Sequence, residues 1–209
     1  MALTVTCIKM TLLGESTTGK TSIAHRFVKE VFPENPGSTI GSTFMTLRYE
    51  NVKYEIWDTA GQERYLSLLP LYYRGSDLVV LVYDLSRSET QDKIVYYLDK
   101  IVEQLTNYYR ILIIGNKLDL INKEDLPAIG TLLVGKLNKY EMLYDRMEFI
   151  NVSTKTGENF KELVDKFREI GKLIVNKKTH KVDEDIVKLE TPRSIIITSF
   201  KNAYGDCSC

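Results

Sequence analysis

The chain has 209 residues, 28 of them basic and 28 acidic: room for one α/β domain of about 170 residues with a tail, and a charge balance that excludes a global field drawing it to nucleic acid polymers or anionic lipid. Its three cysteines, Cys7 in an apolar strand pattern and Cys207 and Cys209 at the extreme end, are no framework for a disulfide-stapled domain. No apolar run of about 18 residues marks a membrane span, and Met1-Ala2-Leu3-Thr4 opens neither a secretory leader nor a myristoylation signal, so the expectation is a chain made in the cytosol.

The first strand is expected over about 4–13, from the apolar run Val5 to Leu13. The next eight residues, Gly14-Glu15-Ser16-Thr17-Thr18-Gly19-Lys20-Thr21, lead into a helical pattern, which puts G-x-x-x-x-G-K-[ST] in its strand-to-helix setting. Glycine at 14 and 19 lets the backbone turn so tightly that successive N–H groups form a nest for phosphate. Lys20 then brings a point charge to the β- and γ-phosphates, and Thr21 a hydroxyl for Mg²⁺. Phosphate contacts are expected from Gly14, Glu15, Ser16, Thr17, Thr18, Gly19, Lys20, Thr21 and Ser22, and the ligand is expected to be a nucleoside triphosphate.

Strand signals recur near 42–50 and 52–57, joined through Glu50-Asn51 too tightly for a crossover helix, so an antiparallel hairpin is expected at one edge of the sheet. Asp58-Thr59-Ala60-Gly61-Gln62 follows. Such folds hold Mg²⁺ through an acidic residue at a strand end beside the phosphate loop, which selects Asp58. Gly61 allows a backbone amide close to the γ-phosphate, and Gln62 can orient a water beyond it; taken alone, the tetrapeptide reads equally well as an Asx turn.

Further strands are expected near 77–83, 110–115 and 148–152. Helices are expected from the periodicity of Ile94, Val95, Leu98, Ile101, Val102 and Leu105, and of Phe160, Leu163, Val164, Phe167, Ile170 and Ile174. The alternation predicts an α/β fold: a mixed six-stranded sheet with helices on both faces. Asn116-Lys117-Leu118-Asp119 and Ser153-Thr154-Lys155 each follow a strand, at the carboxyl ends where parallel sheets bind ligands. The Asp119 carboxylate can accept hydrogen bonds from both N1–H and the 2-amino group of guanine, a donor pair adenine lacks. From about residue 177 the periodicity dissolves, so the chain divides into a domain over 1–176 and a tail over 177–209.

Together, Gly14 to Thr21, Trp57-Asp-Thr-Ala-Gly-Gln-Glu-Arg64, Asn116 to Asp119 and Ser153 to Lys155 resemble a small GTPase of the Ras superfamily, with its P-loop NTPase fold. Within it the chain is similar to the Rab branch through Ile40-Gly41 with Phe44, Ile56-Trp57, Tyr72-Tyr73-Arg74-Gly75 and the terminal Cys207-Ser208-Cys209. The resemblance covers residues 5–176 and the last three. It implies a GTP/GDP switch of vesicle traffic that hydrolyses GTP with Lys20, Thr39 and Gln62, slowly alone, at about 10⁻⁴ to 10⁻³ per second, and faster with an activating protein. It also implies Mg²⁺ on Thr21, Thr39 and Asp58, and Thr39 and Gly61 at the γ-phosphate. Guanine would lie among Phe32, Asn116, Lys117, Asp119, Ser153, Thr154 and Lys155, with the Thr154 amide on O6. Effectors would be met by Ile40, Gly41, Phe44, Trp57 and Tyr72. The other partners it implies are an exchange factor, a dissociation inhibitor and an escort protein that delivers Cys207 and Cys209 for double prenylation. The protein would act as a monomer on the cytosolic face of endomembranes, and Ser38-Thr39-Ile40-Gly41 looks closest to endocytic members.

The chain also departs from the family pattern. Thr17 and Thr18 stand where a small residue and valine are common, so looser packing beneath the loop is expected, and Thr154 stands where alanine is usual. Between Asp119 and Ser153 the chain is longer than in most relatives, and Leu126, Ile129, Leu132, Leu133, Leu137 and Tyr140 predict a longer fourth helix or a broken pair. Ile195-Ile196-Ile197 with Phe200 is expected to dock on the escort protein or the dissociation inhibitor. Two rival readings are an ATP-using P-loop kinase, opposed by Asp119, and a nucleotide-locked scaffold, opposed by Gln62.

Overall fold

The structure is a computed structural model that describes residues 5–32, 39–61, 68–104 and 108–180. Six strands form one sheet in the order β2-β3-β1-β4-β5-β6. They are β1 Thr6–Leu13, β2 Ser42–Tyr49, β3 Val52–Thr59, β4 Leu78–Asp84, β5 Arg110–Asn116 and β6 Met147–Asn151. Only the β2–β3 hairpin is antiparallel; the other pairs run parallel. The helices are α1 Lys20–Lys29, α2 Leu69–Tyr73, α3 Glu89–Gln104, α4 Leu126–Leu137 and α5 Phe160–His180.

Strand β4 explains the layering. Every one of its residues is buried, as a parallel strand covered on both faces requires. Alternation sends Leu78, Val80 and Val82 to the face packed by Ile23 and Phe27 of α1 and Leu163, Phe167 and Ile170 of α5. Val79, Leu81 and Tyr83 meet Tyr73 of α2, Ile94 and Leu98 of α3 and Leu133 and Leu137 of α4 on the other face. Helices therefore cover both sides. At the hairpin edge, Tyr54 donates to Phe167 O at 2.8 Å, and the Arg168 guanidinium lies 4.1 Å from the Tyr49 ring centre, so α5 clasps β2 and β3.

Two helix readings need correction. Val102 was expected on the inner face of α3, but it is exposed, and Tyr97 is buried in its place. Val102 is one residue past Ile101 and so turned away by about 100°, whereas Tyr97 stands four before Ile101, on the same stripe; Leu105 lies outside the described residues. The last helix does not stop near 176: α5 runs to His180. Lys178, which reads as part of a polar tail, reaches Asp77 at 2.7 Å and Cys7 O at 2.9 Å, so its charge is used at the amino ends of the central strands β1 and β4. Residues 181–209, with Ile195 to Ile197, Phe200, Cys207 and Cys209, lie outside the described residues.

The long connection before β6 is the broken-pair alternative. After α4 comes a run of 3₁₀ turns over Asn138–Arg146, kinked at Tyr140 with φ −108°. The buried Tyr140 places its hydroxyl 2.9 Å from Val95 O and 2.7 Å from Asp99 Oδ1, and Lys139 pairs with the same carboxylate. The extra residues are thus pinned to α3.

Candidate functional site

Strand β1 ends at Leu13, and the next seven residues wrap the amino end of α1. Gly14, at φ 152°, lies so close to Val82 O that a Cβ would come within 2.2 Å of it, and a Cβ on Gly19, at φ 100°, would lie 2.1 Å from Asn116 Nδ2. The loop closes on Lys20, which is buried and donates to Gly14 O and Glu15 O, both at 2.8 Å. Burial pulls its pKa down to about 8, against the opposing charges of Asp58 and Glu15. An ammonium whose protein hydrogen bonds go to neutral carbonyls, beside a helix amino terminus, is prepared for an anion. The expectation of looser packing beneath the loop is not met. Thr18 is fully buried and donates to Glu15 O at 2.9 Å, so its hydroxyl holds the turn that an aliphatic residue would only fill.

At the other end of the cleft, Asn116 Nδ2 donates to Thr18 O at 2.8 Å, and its Oδ1 accepts from Thr154 N at 3.1 Å and Thr154 Oγ1 at 2.7 Å. One side chain therefore joins the phosphate loop to the turn after β6. The Thr154 amide, expected on guanine O6, is directed at Asn116 here, and the hydroxyl that alanine would lack adds a second bond. Ser153 Oγ donates to Asp119 Oδ1 and accepts from Thr156 N at 3.0 Å, which fixes the carboxylate. Lys117 adopts φ 64° and pairs with Asp84 Oδ2 at 2.6 Å. Burial pushes the Asp84 carboxyl up, but hydrogen bonds from Lys117 and Ser86 outweigh it and hold the group below its ordinary value. Arg26, from α1, donates to Thr154 O and to Lys155 O at 3.3 Å.

A third cluster gathers oxygen. Thr21 Oγ1 donates to Asp58 Oδ2 at 2.7 Å and lies 2.9 Å from Thr39 Oγ1. Asp58 is fully buried; its Oδ1 has no hydrogen-bond partner among the described residues, and burial pushes its carboxyl up against the pull of Thr21 and Lys20. A buried carboxylate oxygen without a partner is costly, and a hard cation meeting one carboxylate and two hydroxyls would relieve it. Beside it, Ala60 N donates to Gly41 O at 2.8 Å, tying the start of β2 to the end of β3.

A cavity of about 360 Å³ joins these parts. Of the sequence-predicted residues, Ser16, Thr17, Gly19, Lys20, Thr21, Ser22, Phe32, Thr39, Gly61, Asn116, Lys117, Asp119, Thr154 and Lys155 line it. Gly14, Glu15, Thr18, Asp58 and Ser153 stand behind that lining and hold it. Gln62 lies outside the described residues. Thr59, which the motif after β3 contains without a role of its own, and Leu120, which carried no sequence signal, also line the cavity. Asp84 did carry one: like Asp58, it is an acid closing an apolar strand. Around the corner, Phe44 and Trp57 pack edge to face at 5.1 Å and Trp57 lies 6.1 Å from Tyr72, with Phe44 50% and Ile40 84% exposed. The triad forms an outer face, with Lys9 Nζ 5.4 Å from the Trp57 ring centre.

Comparison with known proteins agrees with this geometry. A family model described as the Ras family matches residues 9–176. The GTP-binding protein YPT53 of Saccharomyces cerevisiae is 35% identical over 179 residues, covering 80% of this chain and 76% of its own length. The putative ras-related protein Rab-5B of Dictyostelium discoideum is 38% identical over 171 residues, covering 80% and 75%. With the parallel sheet, the phosphate loop and the Asn116 to Asp119 turn in one cleft, the chain belongs to the Ras family, as a Rab-type small GTPase.

Proposed function

We propose that this GTPase switches vesicle traffic by holding guanine at Asp119 and the terminal phosphates at Lys20, and by presenting the Phe44, Trp57 and Tyr72 face only while the γ-phosphate is bound. The observation that carries the reading is the Ser153–Asp119 contact at one end of a cleft whose other end is the buried Lys20. Fixed by Ser153, the carboxylate accepts from guanine N1–H and the 2-amino group. Phe32, Lys117 and Lys155 bracket the base, and Asn116 keeps the base end in register with the phosphate loop.

The donor set of Thr21, Thr39 and the unpartnered Asp58 Oδ1 fits Mg²⁺, which takes few protein oxygens and keeps waters and phosphate. When bound, Mg²⁺ would neutralise charge on the β- and γ-phosphate oxygens. Lys20 shares that task from the protein side, and the backbone amides of the loop and of Gly61 hold the phosphoryl oxygens in place. Gln62 orients the attacking water. Arg87 faces the loop from within the chain, but its guanidinium is committed to Asp84 and Ser16 O, so an activating protein supplies the missing charge. Loss of the γ-phosphate removes a partner from Thr39 and Gly61, and the Gly41–Ala60 link passes the change to the aromatic face.

Regulators and effectors are general to Rab-type GTPases. For this chain, the proposed partners are an exchange factor, an activating protein, a dissociation inhibitor and an escort protein. Prenyl groups on Cys207 and Cys209 would hold it on the cytosolic face of an endosomal membrane, two chains being needed for stable anchoring.

Replacing Asp119 by Asn tests the base assignment, because one acceptor becomes a donor suited to the C2 oxygen of xanthine. GDP affinity should fall by about 10³-fold or more while xanthosine diphosphate gains. Unchanged preference for GDP would refute the assignment.

A further inference from the structure

Residue 17 is in an awkward place. Its φ is 62°, the left-handed region, and the residue is threonine, whose branched Cβ disfavours that conformation far more than glycine would. Thr17 nevertheless lines the cleft, so the strain sits where phosphate would bind. Something must hold the peptide that precedes it, because rotation of that peptide about N–Cα is what would relax φ.

Arg87 makes the hold. It stands in the turn between β4 and α3, distant in sequence from the loop, and its Nη2 donates to Ser16 O at 3.1 Å. The same guanidinium donates through Nε to Asp84 Oδ2 at 3.1 Å, the oxygen that also receives Lys117 Nζ at 2.6 Å. Asp84 is buried, and its other oxygen accepts from Ser86 N at 3.0 Å and Ser86 Oγ at 2.6 Å, so the anchor is itself fixed. A planar fork with two anchored ends resists swinging better than a point charge does. The bond between residues 16 and 17 is trans, since no cis peptide is present among the described residues. Its carbonyl and N–H therefore point in opposite directions. Holding Ser16 O toward Arg87 turns the Thr17 N–H away from Arg87, to the opposite side of the loop.

We propose that Arg87 is a positioning residue for nucleotide retention: it fixes the Ser16–Thr17 peptide against the strain of Thr17, aims that N–H at the bound phosphates, and links this peptide through Asp84 to Lys117 at the base end. The proposal rests on the nucleotide cleft described above and adds to it a residue that does not itself line the cleft. Its chemistry is electrostatic and conformational, with no covalent step.

The test is a double-mutant cycle on release of a fluorescent GDP analogue from the full chain, chased with unlabelled GDP. Arg87→Ala should speed release about tenfold, equivalent to ~1.4 kcal/mol. In a Thr17→Gly background, where left-handed φ costs little, the same Arg87→Ala step should speed release by about threefold or less. Arg87→Lys, which reaches one acceptor and not both, should fall between wild type and Arg87→Ala, and it stands in should the alanine variant not fold. Release within about twofold of wild type, or equal acceleration in both backgrounds, overturns the proposal, because ordinary structural support would not depend on residue 17. If wild type holds ADP and not GDP, the guanine assignment fails, while the same cycle run with ADP still decides the role of Arg87.

Discussion

The two ends of the cleft are built to different standards. At the base end, Asn116, Ser153, Asp119 and Lys117 are each held by side-chain hydrogen bonds or ion pairs to other loops, and Arg26 closes the turn from α1. At the switch end, among the described residues, Thr39 meets Thr21 through a hydroxyl contact, Gly41 meets Ala60 through a backbone bond, and Ile40 stands 84% exposed. A purine selector must not yield, because discrimination depends on buried polar groups that stay unpaired with the wrong base. A γ-phosphate sensor must yield, and segments that move are drawn from those with few buried contacts. Among the described residues, the side-chain hydrogen bonds are thus concentrated where rigidity serves specificity.

Breaking the rigid end should give the largest effect. Asn116→Ala removes the bond to Thr18 O and leaves the buried Thr154 amide without its acceptor. Unmet buried groups cost about 1–3 kcal/mol each, so the loss should be about 3 kcal/mol, with melting lowered by about 6–12 °C for a domain of this size. GDP affinity should drop about 10²-fold, as the two loops lose their common register. Calorimetric melting and GDP titration of the same sample measure both. A variant that melts normally yet loses GDP would mean that Asn116 acts on the ligand and not on the loops.

The switch end should respond selectively. A Cβ on Gly61 would lie 2.5 Å from Ser16 N and 2.6 Å from Glu15 C, backbone atoms that cannot step aside. Gly61→Ala should therefore push its own amide away from the γ-phosphate position. One charge-assisted hydrogen bond is at stake, so GTP affinity should fall about tenfold while GDP stays within about twofold. Equal losses for GTP and GDP would show that the two ends are not separable in this way.

This contrast was only half visible in the sequence. Motif residues announce themselves because phosphate and guanine demand particular groups at fixed spacing, and the strand ends that carry them are short runs of unmistakable apolar character. The partners that stiffen the base end give no such signal. Arg26 is a basic residue on an amphipathic helix, and Arg87 one in a polar turn; their targets, Thr154 O and Ser16 O, are backbone atoms far along the chain. Thr18 read as a packing defect because spacing says nothing about a hydroxyl turned back on its own loop. The reach of α5 past residue 176 was hidden for a related reason: Lys178 looks like tail until Asp77 is found beside it.

Lys20 sits between the two ends, and its titration gives the mildest test. Its pKa in the folded protein is about 8, below the 10.5 of an unburied lysine. Between those values the unfolded chain carries the extra proton, so the group's penalty on folding is fully present below about pH 8 and relieved as pH rises toward 10.5. Bound phosphate reverses the balance, because an adjacent anion favours the ammonium and lifts its pKa again. Nucleotide binding should then take up a fraction of a proton above pH 8 and almost none from this group near pH 7, so affinity should weaken by several-fold between about pH 8 and 9. Titration calorimetry of GDP at pH 8.5, in buffers of different ionisation enthalpy, reads the proton directly. Lys20→Arg, which stays charged throughout, should lose that component at whatever affinity it retains, and this separates it from ionisation of guanine itself. Proton uptake identical in the two proteins would place the titrating group elsewhere and leave Lys20 fully charged in the free cleft.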